Sequence, residues 1–253
     1  MKRLTLMRQL AGALTAGWFA TGAPALVWAA EASARRWWLP ENVSTYGVEI
    51  DRGFYIILWI TGIIFVAVEA TLLIFLIRYR QRDGRRAHYT HGSDRLEIIW
   101  TVIPALILVW LAFFSQNLWA QIRGAVPEGA PEVEITAEQF AWNVRYPGDD
   151  RQFGTEDDIE TLNQLHLPLL EPVVIHVKSK DVIHSFFLPD FRVKQDAVPG
   201  LTTKIWVKAT KPGDYEIACA ELCGLGHYRM KGFLTVEEPA AFAAWLVQAK
   251  SEM

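Results

Sequence analysis

The hydrophobic pattern divides the chain into a membrane-like half and a strand-like half. Residues 54–77 are almost wholly apolar, interrupted only by Thr61, Gly62, Glu69 and Thr71. At about 1.5 Å per residue, such a run exceeds the roughly 30 Å thickness of a hydrocarbon core. A second run, 97–118, opens on Glu97 and contains Pro104. Membrane helices tolerate an internal proline because neighbouring groups satisfy the freed carbonyl. Both runs predict transmembrane helices. A shorter apolar run, 10–19, follows Lys2, Arg3 and Arg8 and precedes the small residues Ala29 and Ala30. That order predicts a secretory signal cleaved near residue 30.

From residue 132 the period changes to two. Val133, Ile135 and Ala137 alternate with acids, and 140–146 continues with aromatics before Pro147-Gly148 turns the chain. Strand-like runs follow at 173–177, 182–188, 203–207, 214–218 and 233–236, punctuated by Pro189, Pro199-Gly200 and Pro212-Gly213. Short strands at this spacing predict an antiparallel sandwich or barrel. Residues 149–166, rich in acids, are expected to form an exposed insertion, and 240–250 a short closing helix.

The loop between the two spans, 78–95, carries Arg78, Arg80, Arg82, Arg85, Arg86 and Arg95. The positive-inside rule places it in the cytoplasm. Both flanks then lie outside, which is also what the signal segment requires. The expected organisation is a signal at 1–30, a short segment and helical hairpin at 31–119, and an outer all-β domain at 120–253. Trp37-Trp38-Leu39-Pro40 suits either the membrane interface or simple packing.

Charge sharpens this division. The net charge is -3, but from residue 120 onward 13 Lys and Arg stand against 20 Asp and Glu, a balance of -7. An acidic outer domain argues against nucleic acid and fits a basic protein partner. Glu69, inside the first span, must face protein, water or a partner rather than lipid. Glu97 reads either as a helix N-terminal acid favoured by the dipole or as a proton-collecting carboxylate at a membrane entrance.

The densest chemistry is in Cys219-Ala220-Glu221-Leu222-Cys223-Gly224-Leu225-Gly226-His227-Tyr228-Arg229-Met230, which holds both cysteines of the chain. Thiolate and thioether are soft ligands that favour copper, and imidazole suits it too. His184, in Asp181-Val182-Ile183-His184-Ser185, ends another strand-like run. A single-copper electron carrier uses two His, one Cys and a weak Met; this set has one thiolate more. Two bridging thiolates with two His and a Met can serve a pair of copper ions. The other readings are a Cys219–Cys223 disulfide, ordinary for exported cysteines, and a zinc site, which would not normally use a thioether. His88, His91, His166 and His176 have no comparable company.

The loop resembles the copper A loop of cytochrome c oxidase subunit II, with the pattern Cys-x-Glu-x-Cys-Gly-x-x-His-x-x-Met. Asp181-Val182-Ile183-His184-Ser185-Phe186, Arg192-Val193-Lys194-Gln195-Asp196-Ala197-Val198-Pro199-Gly200 and Glu97-Ile98-Ile99-Trp100-Thr101-Val102-Ile103-Pro104 resemble other segments of that family. The resemblance spans about residues 40–240. It implies a cupredoxin-like sandwich behind the hairpin, in the periplasm of a bacterial inner membrane. It implies that Cys219 and Cys223 bridge two coppers and that His184 and His227 each bind one. Met230 and the Glu221 carbonyl would be weak ligands, and the Glu221 side chain would reach a magnesium shared with the catalytic subunit. Glu97 would open a proton path into that subunit.

The implied function is the electron-input subunit of an oxidase that reduces oxygen to water. Its implied partners are subunit I, subunit III and a cytochrome c. No Cys-x-x-Cys-His occurs, so the type without a fused cytochrome c domain is expected, with a separate donor. Family members often carry Trp-aromatic-Trp where this chain has Phe140-Ala141-Trp142, so Phe140 and Trp142 are the candidates for electron input. The same centre also occurs in a nitric oxide reductase subunit, and a membrane-anchored copper carrier is a third reading.

Overall fold

The structure, a computed structural model, describes residues 38–124 and 129–252. The expected signal at 1–30 and Trp37 lie outside these residues. The chain divides after Glu41, and the elements below belong to the second unit, Asn42–Met253.

Among the described residues, two long helices come first, α1 (Gly47–Arg78) and α2 (Asp94–Arg123). Each is roughly 45–48 Å long at about 1.5 Å per residue, and so overruns a hydrocarbon core. Their apolar side chains stay exposed, Ile77 by 69% and Phe113 by 70%. Such a surface suits lipid or neighbouring membrane helices. The hydroxyls of Thr61 and Thr71 donate back to the carbonyls of Ile57 and Ala67 at 2.8 and 2.7 Å, so these two hydroxyls are satisfied within the helix.

Among the described residues, ten strands form two five-stranded sheets. The first contains β1 (Glu132–Glu138), β2 (Ala141–Tyr146), β3 (Ile159–Leu162), β5 (Pro172–Ser179) and β8 (Thr203–Lys208), in the order β3-β2-β1-β5-β8. The second contains β4 (Gln164–Pro168), β6 (His184–Leu188), β7 (Val193–Ala197), β9 (Gly213–Cys219) and β10 (Lys231–Glu237), in the order β4-β10-β9-β6-β7. Period-two burial puts Val133, Ile135, Trp142, Val144, Ile175, Phe186, Ile217 and Leu234 between the sheets. The closing helix α3 (Pro239–Ser251) packs Trp245 against Tyr146 and stacks it on His166, with ring centres 5.2 and 3.9 Å apart.

Two expectations are corrected. The sandwich is not wholly antiparallel, since β1 pairs with β5 and β4 with β10 in parallel. Nor is 149–166 simply an exposed insertion. Its second half supplies β3 and the start of β4, and Ile159 and Leu165 are buried. The acids of 149–160 and the shortness of the two strands hid the alternation there.

The hairpin is fastened to the sandwich just before α1. Val43 N–H donates to the Asp190 carbonyl at 2.9 Å, and Thr210 N–H donates to the Val43 carbonyl at 2.8 Å. The Tyr46 hydroxyl donates to the Trp206 carbonyl at 2.5 Å. Arg192 closes the joint by donating from Nε and Nη2 to the two Asp51 oxygens at 2.7 and 3.1 Å. Removing one partner of a largely buried bidentate pair strands the other charge. Asp51→Ala is therefore expected to cost about 2–4 kcal/mol, below the fully buried figure because Asp51 keeps some exposure. Thermal unfolding of the full chain in detergent would show this, and an unchanged midpoint would refute it.

Candidate metal centre

The centre is built at one end of the second sheet. Strand β9 ends at Cys219, β10 begins at Lys231, and the connection between them is the loop picked out by the sequence. The two ends of the loop are clamped together, since Cys219 N–H donates to the Met230 carbonyl at 3.3 Å. Ala220 N–H donates to the Ser185 carbonyl at 3.0 Å, which fixes the loop beside β6 and His184. Inside the loop, His227 N–H donates to the Gly224 carbonyl at 3.1 Å and Met230 N–H to the His227 carbonyl at 3.1 Å. Gly224 has φ +137°, a conformation that side chains rarely adopt. A methyl group at Gly226 would collide with the Phe140 ring, which lies against the loop.

The soft donors converge. The Cys219 and Cys223 sulfurs are 3.9 Å apart, far from the roughly 2.05 Å of a disulfide, and both cysteines are free. Cys219 Sγ lies 4.0 Å from His184 Nδ1 and 3.3 Å from the Glu221 carbonyl oxygen. Cys223 Sγ lies 3.6 Å from His227 Nδ1 and 3.7 Å from Met230 Sδ. The donors of His184, Cys219 and Cys223 all fall within 4.8 Å of one another. A metal with bonds of about 2.0–2.3 Å places tetrahedral donors roughly 3.3–3.8 Å apart, so these spacings fit metal ligation. Six donors also exceed the four that one tetrahedral ion takes.

Burial reinforces the fit. His184, Cys223 and Met230 are buried and Cys219 is half-buried. Burial, followed by the neighbouring Cys219, pushes the Cys223 thiol up to about 11. At neutral pH this thiol stays protonated unless a cation displaces the proton, as a coordinating metal does.

The sequence reading gave no role to two residues next to the ligands. Asp181 Oδ1 accepts from His184 Nε2 at 2.9 Å, which turns Nδ1 towards the sulfur. Burial works against ionising Asp181, but hydrogen bonds from His184 and from the Gln139 and Val182 amides hold its carboxyl below the usual range. Gln139 Nε2 donates to the Cys223 carbonyl at 2.5 Å and so ties the start of β2 to the loop. The signal for Asp181 was its place three residues before His184; Gln139 had none.

The remaining candidates separate. Trp142 is 0% exposed, with its ring 6.3 Å from the His184 ring, so it offers no surface to a donor. Phe140 is partly exposed over the loop. The Glu221 side chain is exposed, as are Leu222, Leu225 and Tyr228 around it. Glu97 stands apart from the metal centre, exposed in the first turn of α2 beside the arginine-rich loop.

Comparison with known proteins bears on the family of the chain. Residues 38–118 match the family model of the cytochrome c oxidase subunit II transmembrane domain, and residues 137–236 match that of the periplasmic domain. The alternative cytochrome c oxidase subunit 2 of Bradyrhizobium diazoefficiens is 34% identical over 237 residues, covering 85% of this chain and 84% of that protein. Cytochrome c oxidase subunit 2 of Cereibacter sphaeroides is 34% identical over 230 residues, covering 76% and 75%. A crystal structure of the periplasmic domain of subunit II of cytochrome oxidase from Bradyrhizobium japonicum is 31% identical, covers 51% of this chain and 99% of that one, and has a TM-score of 0.46. With both family models matched and relatives aligned across hairpin and sandwich alike, the chain belongs to the cytochrome c oxidase subunit II family.

Proposed function

We propose that the chain holds a two-copper, copper A centre. Cys219 and Cys223 would supply its thiolates, His184 and His227 its imidazoles, and the Met230 thioether and the Glu221 carbonyl its weaker donors. The observation that carries this reading is the chain of six donors, each 3.3–4.0 Å from a cysteine sulfur, with one imidazole beside each sulfur. Bound there, the copper pair supplies a one-electron carrier between cytochrome c and the haem of subunit I, where oxygen is reduced to water. The relatives are oxidase subunits, so the readings as a nitric oxide reductase subunit or a copper carrier fall away.

The chain's own residues hold and shield that carrier. Asp181 fixes the ring orientation of His184, as carboxylates behind metal-bound histidines do. The buried Cys223, Met230 and His184 exclude water and limit rearrangement on reduction. Phe140, lying against the loop, is the side chain a docked donor meets first; Trp142 sits behind it in the core. Exposed Leu222, Leu225 and Tyr228 offer apolar contact, and the acidic outer domain attracts a basic cytochrome c. The Glu221 side chain contributes to a magnesium site shared with subunit I. Glu97 gathers protons at the cytoplasmic mouth of a path into subunit I. Residues 1–30 act as a signal, 31–119 contain the hairpin, and 120–253 form the periplasmic domain. The assembly sits in a bacterial inner membrane with subunits I and III.

Five variants test these roles. Cys219→Ser or Cys223→Ser should abolish the copper spectrum, whereas Met230→Leu should keep copper and shift its potential; equal loss in all three would contradict the ligand assignment. Asp181→Asn should weaken copper binding by about 10–100-fold in equilibrium titration, and unchanged affinity would remove its orienting role. Glu97→Ala should slow oxygen consumption by the whole oxidase while leaving the copper spectrum intact. Full turnover in that variant would end the proton-path assignment.

A further inference from the structure

Where the hairpin meets the sandwich there is a cavity of about 180 Å³ that the copper centre does not use. Its apolar lining comes from Ile50, Trp119, Ile122 and Trp206, and its cationic lining includes Arg123 and Lys204. Arg192 and Lys194 also reach it, but they are engaged by Asp51 at 2.7 Å and Asp196 at 2.9 Å. Arg123 is differently occupied. Its guanidinium lies 5.1 Å over the Trp119 ring, donates to Gln195 Oε1 at 2.6 Å, and reaches the Lys204 carbonyl at 3.5 Å. Among the described residues, neither Arg123 nor Lys204 has a carboxylate partner. The cavity therefore carries two cationic groups above an aromatic and aliphatic floor.

Its depth is set by the helices. The apolar run of α1 begins at residue 54, and that of α2 ends at Phe114, before Ser115-Gln116-Asn117. At about 1.5 Å per residue, Ile50 stands about 6 Å outside the hydrocarbon and Trp119 about 8 Å outside it. Arg123 lies one turn further out, and its guanidinium leans back over the Trp119 ring. The headgroup layer occupies roughly 5–8 Å on each side of the core. The cavity thus opens at headgroup depth, where tryptophan is enriched.

We infer that this cavity seats the headgroup of an anionic phospholipid from the leaflet on the sandwich side. The phosphodiester lies between Arg123 and Lys204, and the glycerol and first acyl carbons lie on Trp119, Ile122 and Ile50. The planar guanidinium fork suits phosphate oxygens, and basic pockets beside membrane helices bind anionic headgroups on the same principle. A zwitterionic headgroup would bring its own cation towards two positive side chains. Free phosphate would leave the apolar floor unused. The inference rests on the hairpin crossing a membrane and not on the copper assignment, so either can fail alone.

The test uses the purified oxidase complex containing this chain, stripped of lipid and exchanged into micelles with phosphatidylglycerol or phosphatidylcholine. Bound lipid is then counted by native mass spectrometry. The wild type should retain one more phosphatidylglycerol per complex than the Arg123→Gln, Lys204→Gln double variant, and phosphatidylcholine should not replace it. Lys204→Gln alone, at an exposed strand position, should lower retention even if the double variant fails to assemble. Excess inorganic phosphate should leave the wild-type count unchanged. Equal phosphatidylglycerol counts in wild type and Lys204→Gln would overturn the site. So would equal retention of phosphatidylcholine, or displacement of the lipid by phosphate.

Discussion

The centre depends on one constraint, the pairing that closes the loop between β9 and β10 and sets it against β6. Two backbone hydrogen bonds express it, Cys219 N–H to Met230 O at 3.3 Å and Ala220 N–H to Ser185 O at 3.0 Å. The first joins the two ends of the loop, and the second brings the loop beside a histidine 35 residues earlier in the chain. Loop closure costs entropy that grows slowly with length, and here the sheet meets that cost before any metal arrives. Two thiols are left side by side in a partly dry site, where burial pushes Cys223 up to about 11. A metal that binds there must displace a proton from a thiol, so its binding releases protons and strengthens as pH rises.

A second constraint fixes where that site stands. The residues before α1 join the sandwich as an added edge, and the Asp51–Arg192 pair locks the first turns of the helix to the strand that follows. Electron transfer to a partner in the membrane is sensitive to position, so a stiff joint between hairpin and sandwich matters as much as the ligands. The cavity lies at that same joint, lined by the first turns of α1, the end of α2 and the sandwich.

Much of this was legible in the sequence because the signals were periodic or chemically dense. The two apolar runs are long enough to demand helices, and both cysteines, a histidine and a methionine fall within twelve residues. What escaped notice lacked such signals. β3 and β4 are short and carry their apolar residues singly, Ile159 between two acids and Leu165 between Gln164 and His166, so both read as part of a solvated segment. The parallel pairings join strands distant in sequence, which spacing cannot reveal. Gln139 and Asp181 act through the backbone carbonyl of Cys223 and the far nitrogen of His184, contacts visible only once the strands are assembled. Trp142 and Phe140 are two residues apart, yet one lies in the core and the other against the loop; only their positions against His184 and Gly226 distinguish them.

The central claim is that two thiolates hold two coppers and not one. The test is the copper content of the full chain loaded in detergent, with the electron spin resonance spectrum of its mixed-valence form. The account predicts two coppers per chain and an unpaired electron coupled equally to two copper nuclei. One copper per chain, with the electron confined to a single nucleus, would contradict it.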